Sequence, residues 1–171
     1  MMVRRTGALM AALLMAVLAL VGVAANPAQA ATSCGAWHII SYGQTGRAIT
    51  VRADNYLYPV GGTDYWNQQV QFCHDPLWTW DHFAIHSNRG GGFWTTKFTV
   101  SPFNEPPVCS CSSQIYNTHE LFAIDNFDGN FWTIRSVATG RYLTGTSPIT
   151  LDHSGFKNGS NLFLISPRSV P

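Results

Sequence analysis

A hairpin word recurs along this chain, and recurrence at a fixed spacing restricts the fold more than any other feature of the sequence. In its clearest copy, residues 120–144, Phe122, Ala123 and Ile124 form a short apolar run and Asp128-Gly129 supplies a turn that admits positive φ; Trp132 and Ile134 then alternate with Thr133 and Arg135. A second turn ending in Gly140 leads to Arg141-Tyr142-Leu143-Thr144. Three short strands in so few residues leave no room for a helix, and the chain reads as all-β.

Phe83-Ala84-Ile85-His86-Ser87 and Phe163-Leu164-Ile165-Ser166 copy Phe122-Ala123-Ile124-Asp125-Asn126, so the leading phenylalanine returns at nearly even intervals. Trp94-Thr95-Thr96-Lys97 copies Trp132-Thr133-Ile134-Arg135 at almost the same interval, and Trp37-His38-Ile39-Ile40-Ser41 matches it near the start. The chain thus opens on the tryptophan word and closes on the phenylalanine word. The last strand completes a hairpin with the first only if three units close in a ring; an open stack would strand both halves.

Residues 1–30 have the make-up of a cleaved export signal: Arg4 and Arg5, an apolar run over 8–25, and Ala28-Gln29-Ala30 as a small-x-small cleavage site. The run is rich in alanine and is followed by Pro27, which argues against a membrane anchor, and Thr6-Gly7 after the arginine pair fits the general secretory route better than a twin-arginine one. Cleavage after Ala30 leaves a single domain at 31–171, long enough for a real core and too short for two. The eight basic and nine acidic residues that remain, with no run of like charge, offer nothing to nucleic acid or to an anionic membrane. A secreted, aromatic-rich monomer with uncharged partners is expected.

All four cysteines, Cys34, Cys73, Cys109 and Cys111, lie in this part, and an even count in an exported chain reads as two disulfides. Cys109 and Cys111 are one residue apart, an awkward spacing for a mutual bond, so each is expected to reach Cys34 or Cys73. A metal site built from Cys73 and His74 would require thiolates to stay reduced outside the cell, and none is expected. No cofactor is expected either.

The first unit runs from Trp37 to about Ile85. Its Thr45-Gly46-Arg47-Ala48-Ile49-Thr50 parallels Thr139-Gly140-Arg141-Tyr142-Leu143-Thr144, which makes Ile49 and Leu143 equivalent core positions. Val70 and Phe72 resume a strand after a loop-rich insert. The second unit departs most: no Gly-Arg-x-Leu-Thr follows Trp94, and the proline-rich residues 101–107 break any strand. The third unit is the most regular and ends at Phe163.

These repeats resemble the β-trefoil proteins of the ricin-B-type lectin and fascin-like group. The resemblance rests on three units of similar length, each with an aromatic-x-Ile opening, a Gly-Arg-x-aliphatic second strand in two of them, and a polar-x-aromatic-x-Ile ending, and it spans the exported chain. Where ricin-type units end on Gln-x-Trp, this chain has Asp81-His82-Phe83, Glu120-Leu121-Phe122 and Asn161-Leu162-Phe163. The resemblance implies three pseudo-repeats of four strands, six strands forming a closed barrel and six a hairpin cap. Inward side chains would then be Trp37, Ile39, Ile49, Phe83, Ile85, Trp94, Phe122, Ile124, Trp132, Ile134, Leu143, Phe163 and Ile165.

Candidates for function come from what the repeats leave unexplained. Tyr56, Tyr58, Tyr65, Trp66, Asn67 and Gln68 crowd one insert, and an aromatic face beside amides and a carboxylate suits a sugar ring, whose C–H face stacks while its hydroxyls bond. Asp54, Asn55 and Asp64 supply acceptors. Asp152, His153, Asn158 and Asn161 occupy the corresponding region of the third unit, with His153 and Phe156 as ring partners. The sequence holds no nucleophile motif, so catalysis is not expected. His82 and His86 share a strand face opposite Phe83 and Ile85 and read as outward and solvated. Two functions remain: a carbohydrate-binding, lectin-like module, or a trefoil that binds extracellular protein, such as a protease inhibitor, through the rigid loop 101–108.

Overall fold

Gly46, Gly91 and Gly140 share one local geometry, with φ of 66°, 60° and 71°. Each closes a tight turn in which the residue four places earlier donates its N–H to the carbonyl one place later. The pairs are Tyr42 to Arg47 at 2.8 Å, Ser87 to Gly92 at 2.9 Å and Ser136 to Arg141 at 2.9 Å. Positive φ costs glycine nothing, so the three turns put the same register on the strands they join. They also set an unambiguous frame for the repeats.

The computed structural model describes residues 32–62, 65–96, 107–115, 117–152 and 157–167; the leader expected at 1–30 lies outside them. The strands are β1 (Ser33–Tyr42), β2 (Ala48–Val51), β3 (Leu57–Val60), β4 (Gln69–His74), β5 (His82–Ser87), β6 (Phe93–Thr95), β7 (Cys109–Ser112), β8 (Leu121–Asn126), β9 (Trp132–Ser136), β10 (Leu143–Thr144), β11 (Thr150–Leu151) and β12 (Leu162–Pro167), with a one-turn helix α1 (Tyr65–Gln68). Strands β1, β4, β5, β8, β9 and β12 pair antiparallel in that order, and β12 returns to β1 with Tyr42 opposite Phe163. The barrel is closed, so its strands present no edge. The fold is the β-trefoil that the repeats implied.

The hairpins β2–β3, β6–β7 and β10–β11 cover one end of the barrel. They are tied in a cycle: Leu57 N–H donates to Val108 O at 3.3 Å, Val108 N–H to Ile149 O at 2.9 Å, and Ile149 N–H to Leu57 O at 2.7 Å. The same threefold order runs through the core in layers of Ile40, Ile85 and Ile134; of Ile49, Trp94 and Leu143; of Leu57, Val108 and Ile149; and of Val70, Phe122 and Phe163, all at most 3% exposed. Burying each such side chain contributes about 2 kcal/mol.

This frame corrects several sequence expectations. The word Phe83-Ala84-Ile85 opens the second repeat on β5, as β1 and β9 open the others, and is not the counterpart of Phe122-Ala123-Ile124, which closes a repeat on β8. Opening and closing barrel strands carry the same period-2 apolar pattern, so the word alone does not tell them apart. The first repeat ends at His74, and its closing word is Gln68-Gln69-Val70 rather than Asp81-His82-Phe83. Trp94 lies on β6 in the core layer with Ile49 and Leu143, so Gly92-Phe93-Trp94-Thr95 is the second-strand word thought missing. Gly92 replaces arginine there because a Cβ would come within 2.7 Å of Ser110 O.

The interior set shifts as well. Ile40, with Tyr42, faces inward in place of Ile39; two adjacent isoleucines leave the alternation ambiguous by one residue, and a one-residue slip exchanges the faces. Trp37, Phe83, Ile124 and Trp132 are half-buried, and Ile165 packs against the core from its margin. Phe83 joins a belt of rings with Phe72 and His74. His86 is half-buried against Trp37 and Phe93, with ring centroids 6.3 and 5.0 Å away, rather than solvated.

Both disulfides differ from the expected pairing. Cys34 and Cys73 face each other across the β1–β4 ladder with Cα atoms 3.9 Å apart and bond to one another, and Cys109 bonds to Cys111. The physical reason is a bulge: the β6–β7 register slips between Trp94, opposite Ser110, and Phe93, opposite Ser112, which leaves Cys111 as the extra residue. Residues two apart on a regular strand have Cα atoms about 6.6 Å apart. The bulge shortens the separation to 5.3 Å, well within disulfide reach.

Candidate functional site

Each repeat has the same scaffold for a cleft: a threonine at or next to the end of its second strand, Thr50, Thr95 or Thr144, and a polar residue just before its fourth strand, Gln68, Glu120 or Asn161. All six are buried. Gln68 Nε2 donates to Thr50 Oγ1 at 3.3 Å and to Gly62 O at 3.1 Å. Thr95 Oγ1 donates to Glu120 Oε1 at 2.9 Å. Asn161 Nδ2 donates to Leu143 O at 3.1 Å and to Asp152 Oδ2 at 3.2 Å. These pairs fasten the loop before the fourth strand to the cap hairpin, and the clefts open beside them.

The larger cleft, about 660 Å³, belongs to the first repeat. Its floor is Thr50, Val51 and Gln68, its walls are Arg52 to Asp54 and Val60 to Gly62, and Asn67 of α1 and Arg89 of the second repeat close it. Asp54 is exposed but engaged: Oδ2 accepts from the Tyr58 hydroxyl at 2.8 Å and Oδ1 from Tyr56 N–H at 3.1 Å. The Tyr58 bond, helped by the Tyr56 N–H and by Arg52, holds the Asp54 carboxyl below the ordinary carboxylate range, and the same bond pushes the Tyr58 phenol up. The Arg52 guanidinium lies over the Tyr58 ring, 4.5 Å from its centroid. Arg89 Nη1 donates to Asn67 Oδ1 at 2.7 Å. Trp66, the residue before Asn67, is 73% exposed.

A second cleft, about 430 Å³, belongs to the third repeat and is lined by Thr144, Gly145, Thr146, Asp152, Asn158 and Ser160, with Tyr42 of the first repeat completing it. Asn158 Nδ2 donates to Asp152 Oδ2 at 3.0 Å. Burial pushes the Tyr42 phenol up. Gly145 has no room for a side chain because a Cβ would overlap the Tyr42 ring. In both cases the adjoining repeat supplies part of the wall: Arg89 reaches the first cleft from the next repeat along the chain, and Tyr42 reaches the third only through the return of β12 to β1.

Of the residues singled out in the sequence, Asp54, Asn67 and Gln68 line the first cleft and Asp152 and Asn158 the second; Trp66 is exposed on α1 beside Asn67 but is not part of the lining. Tyr58 supports Asp54 from behind. Asn55 is in the left-handed region with φ of 64°, and its carbonyl accepts from Ser110 N–H, while Tyr56 bridges to Cys109, so the backbone of both ties the cap together. Asn161 is fully buried and orients Asp152. Asp64, His153 and Phe156 lie outside the described residues, as does 101–106 of the proline-rich loop; Val108 is buried in the core. Sequence reading missed Arg52 and Arg89, because an arginine next to a turn ordinarily marks a solvated surface and the two come from different repeats. It also missed Leu77 and Trp80, each 82% exposed in the β4–β5 connection, and Phe127, 49% exposed in the β8–β9 connection at the same uncapped end.

No protein-family model and no curated protein matches the chain. Solved structures do. A designed threefold symmetric protein, ThreeFoil, is similar with a TM-score of 0.64 at 9% identity, covering 77% of this chain and 99% of its own. The BEL β-trefoil in its apo form has a TM-score of 0.66 at 19% identity, covering 80% and 95%. The Polyporus squamosus lectin bound to the human-type influenza-binding epitope Neu5Aca2-6Galb1-4GlcNAc has a TM-score of 0.62 at 12% identity, with 80% of this chain matching 50% of that one. At such identities the likeness is one of fold: the chain is a β-trefoil.

Proposed function

We propose that this is an exported, non-catalytic carbohydrate-binding protein of the lectin-like, ricin-B-related kind, and that the first-repeat cleft is its principal sugar site. The observation that carries the reading is a cleft lined by the Asn67 amide and the Asp54 carboxylate, with the exposed indole of Trp66 on the same one-turn helix that supplies Asn67. An indole face stacks on the apolar face of a pyranose, and the amide and carboxylate accept and donate at its hydroxyls. Asp54, held ionised by Tyr58, is a weak base and a good fixed acceptor, which suits binding better than acid–base chemistry. The Polyporus squamosus lectin, solved with a bound saccharide, adds fold-level support. Export is supported by the signal-like residues 1–30 and by two disulfides; among the described residues no helix is long and apolar enough to cross a membrane.

A printed glycan array probed with labelled protein tests the reading. The wild type should bind a defined subset of glycans and Trp66→Ala should lose at least tenfold in signal, the loss expected when one aromatic platform of about 1.4 kcal/mol is removed. Equal binding by the variant, or a silent array, would reject it. A second reading, recognition of an extracellular protein, is favoured by the exposed Leu77, Trp80 and Phe127 at the uncapped barrel end. It predicts a silent array together with inhibition or capture of a protein partner that Trp80→Ala abolishes.

A further inference from the structure

The two clefts occupy the same place in their repeats, which makes each a control for the other. Counting from the shared turn, Arg52 corresponds to Thr146, Arg89 to Gln44, and Val60 to Asp152. Asp54, which stands where the third repeat has Pro148, runs the other way, but these three differences all move the first cleft toward positive charge. It has two guanidiniums and one carboxylate, whereas the third-repeat cleft has one carboxylate and no basic lining residue. The single carboxylate of the first cleft is also the one whose oxygens already accept from the Tyr58 hydroxyl and the Tyr56 N–H.

Among the described residues neither arginine makes a salt bridge; the ion pairs there are His82–Asp81 and Lys157–Asp125, none of which lines this cleft. Arg89 is anchored through one nitrogen to Asn67 Oδ1, which leaves the rest of its fork of donors for a ligand. Arg52 is propped on the Tyr58 ring. Two guanidiniums brought from adjoining repeats to the two sides of one cleft match a planar carboxylate or a sulfate, which accept from several donors at once.

Resting on the sugar-binding reading above, we propose that the first-repeat cleft selects saccharides bearing an anionic group, with Arg52 and Arg89 contacting that group while Trp66 and Asn67 hold the ring. Carboxylate and sulfate share this chemistry, and matched probes separate them. The full chain is titrated calorimetrically with three pairs: 6′-sialyllactose against lactose, digalacturonate against galactobiose, and N-acetylglucosamine 6-sulfate against N-acetylglucosamine. In at least one pair the charged member should bind tenfold or more tighter than its neutral partner, the change expected when one charge-assisted hydrogen bond forms. The pair that responds identifies the anion as carboxylate or sulfate. The ratio should shrink as salt rises from about 50 to about 200 mM, because added ions screen the attraction between exposed charges.

Arg52→Gln with Arg89→Gln should bring the ratio close to one. Because losing the Arg89–Asn67 bond could loosen α1, Val60→Asp is the second variant: it places the carboxylate of the other cleft in this one and should lower the ratio several-fold with both arginines present. Neutral members that bind as tightly as charged ones in the wild type would overturn the charge selection and leave sugar binding standing. No binding by any member, with a silent array, would overturn both.

Discussion

Thr50, Thr95 and Thr144 hold one position three times over, yet the groups they meet differ in cost. Thr95 Oγ1 donates at 2.9 Å to the carboxyl group of Glu120, which is 1% exposed and whose other oxygen accepts from Asn117 N–H at 3.1 Å. Thr50 Oγ1 instead meets the amide of Gln68 at 3.3 Å, and that amide has a second acceptor in Gly62 O. Removing a hydroxyl from a buried carboxyl group leaves an acceptor unpaired, at about 1–3 kcal/mol. Thr95→Val is therefore expected to lower the unfolding free energy by about 2 kcal/mol, and Thr50→Val by less than half of that, in chemical denaturation. Equal losses would mean that the Glu120 carboxyl finds another donor. At this scale the sequence was legible by residue type: Asp54, Asn67, Asp152 and Asn158 were recognisable as sugar-compatible groups in loops. Arg52 and Arg89 were not, because their value lies in standing on opposite sides of one cleft, which only the packed repeats bring about.

At the scale of strands and turns, the all-β reading and the threefold count followed from short alternating runs separated by turns. The frame did not. Barrel strands that open and close a repeat both read as aromatic-x-Ile, and the glycine of the shared turn, Gly91, is hidden among Gly90 and Gly92. The cysteine pairing escaped for a related reason, since no spacing rule reveals the bulge at Cys111. The two bridges should contribute unequally to stability. Cys34–Cys73 closes a loop with a sequence separation of 39, and Cys109–Cys111 one with a separation of 2. Loop-closure entropy scales with the logarithm of loop length, which gives about 4 kcal/mol for the first and about 1.5 kcal/mol for the second. Cys34→Ala with Cys73→Ala is expected to destabilise the fold more than twice as much as Cys109→Ala with Cys111→Ala, measured by denaturant unfolding of the double variants. The reverse order would show that the β6–β7 bulge depends on its bridge far more than chain entropy requires.

At the scale of the whole molecule, the packing of each repeat against its neighbour is what turns repeats into sites. The return of β12 to β1 places Tyr42 against the third-repeat cleft, and the neighbouring turn places Arg89 against the first. The cyclic bonds among Leu57, Val108 and Ile149 hold the three hairpins at fixed angles, so the cleft walls are set before any ligand arrives, which lowers the ordering cost of binding. Sequence variation among the repeats then acts on a constant scaffold and gives each cleft its own charge. The most direct test of a sugar site in the first repeat is a ¹⁵N chemical-shift titration of the full chain with the saccharide that gives the strongest array signal. Shifts are expected to gather at residues 50–54, at Gly61, Gly62, Asn67 and Gln68, and at Arg89 in the adjoining repeat. Shifts confined to the connections at 75–81 and 127–131, or no saccharide that shifts any amide, would contradict it.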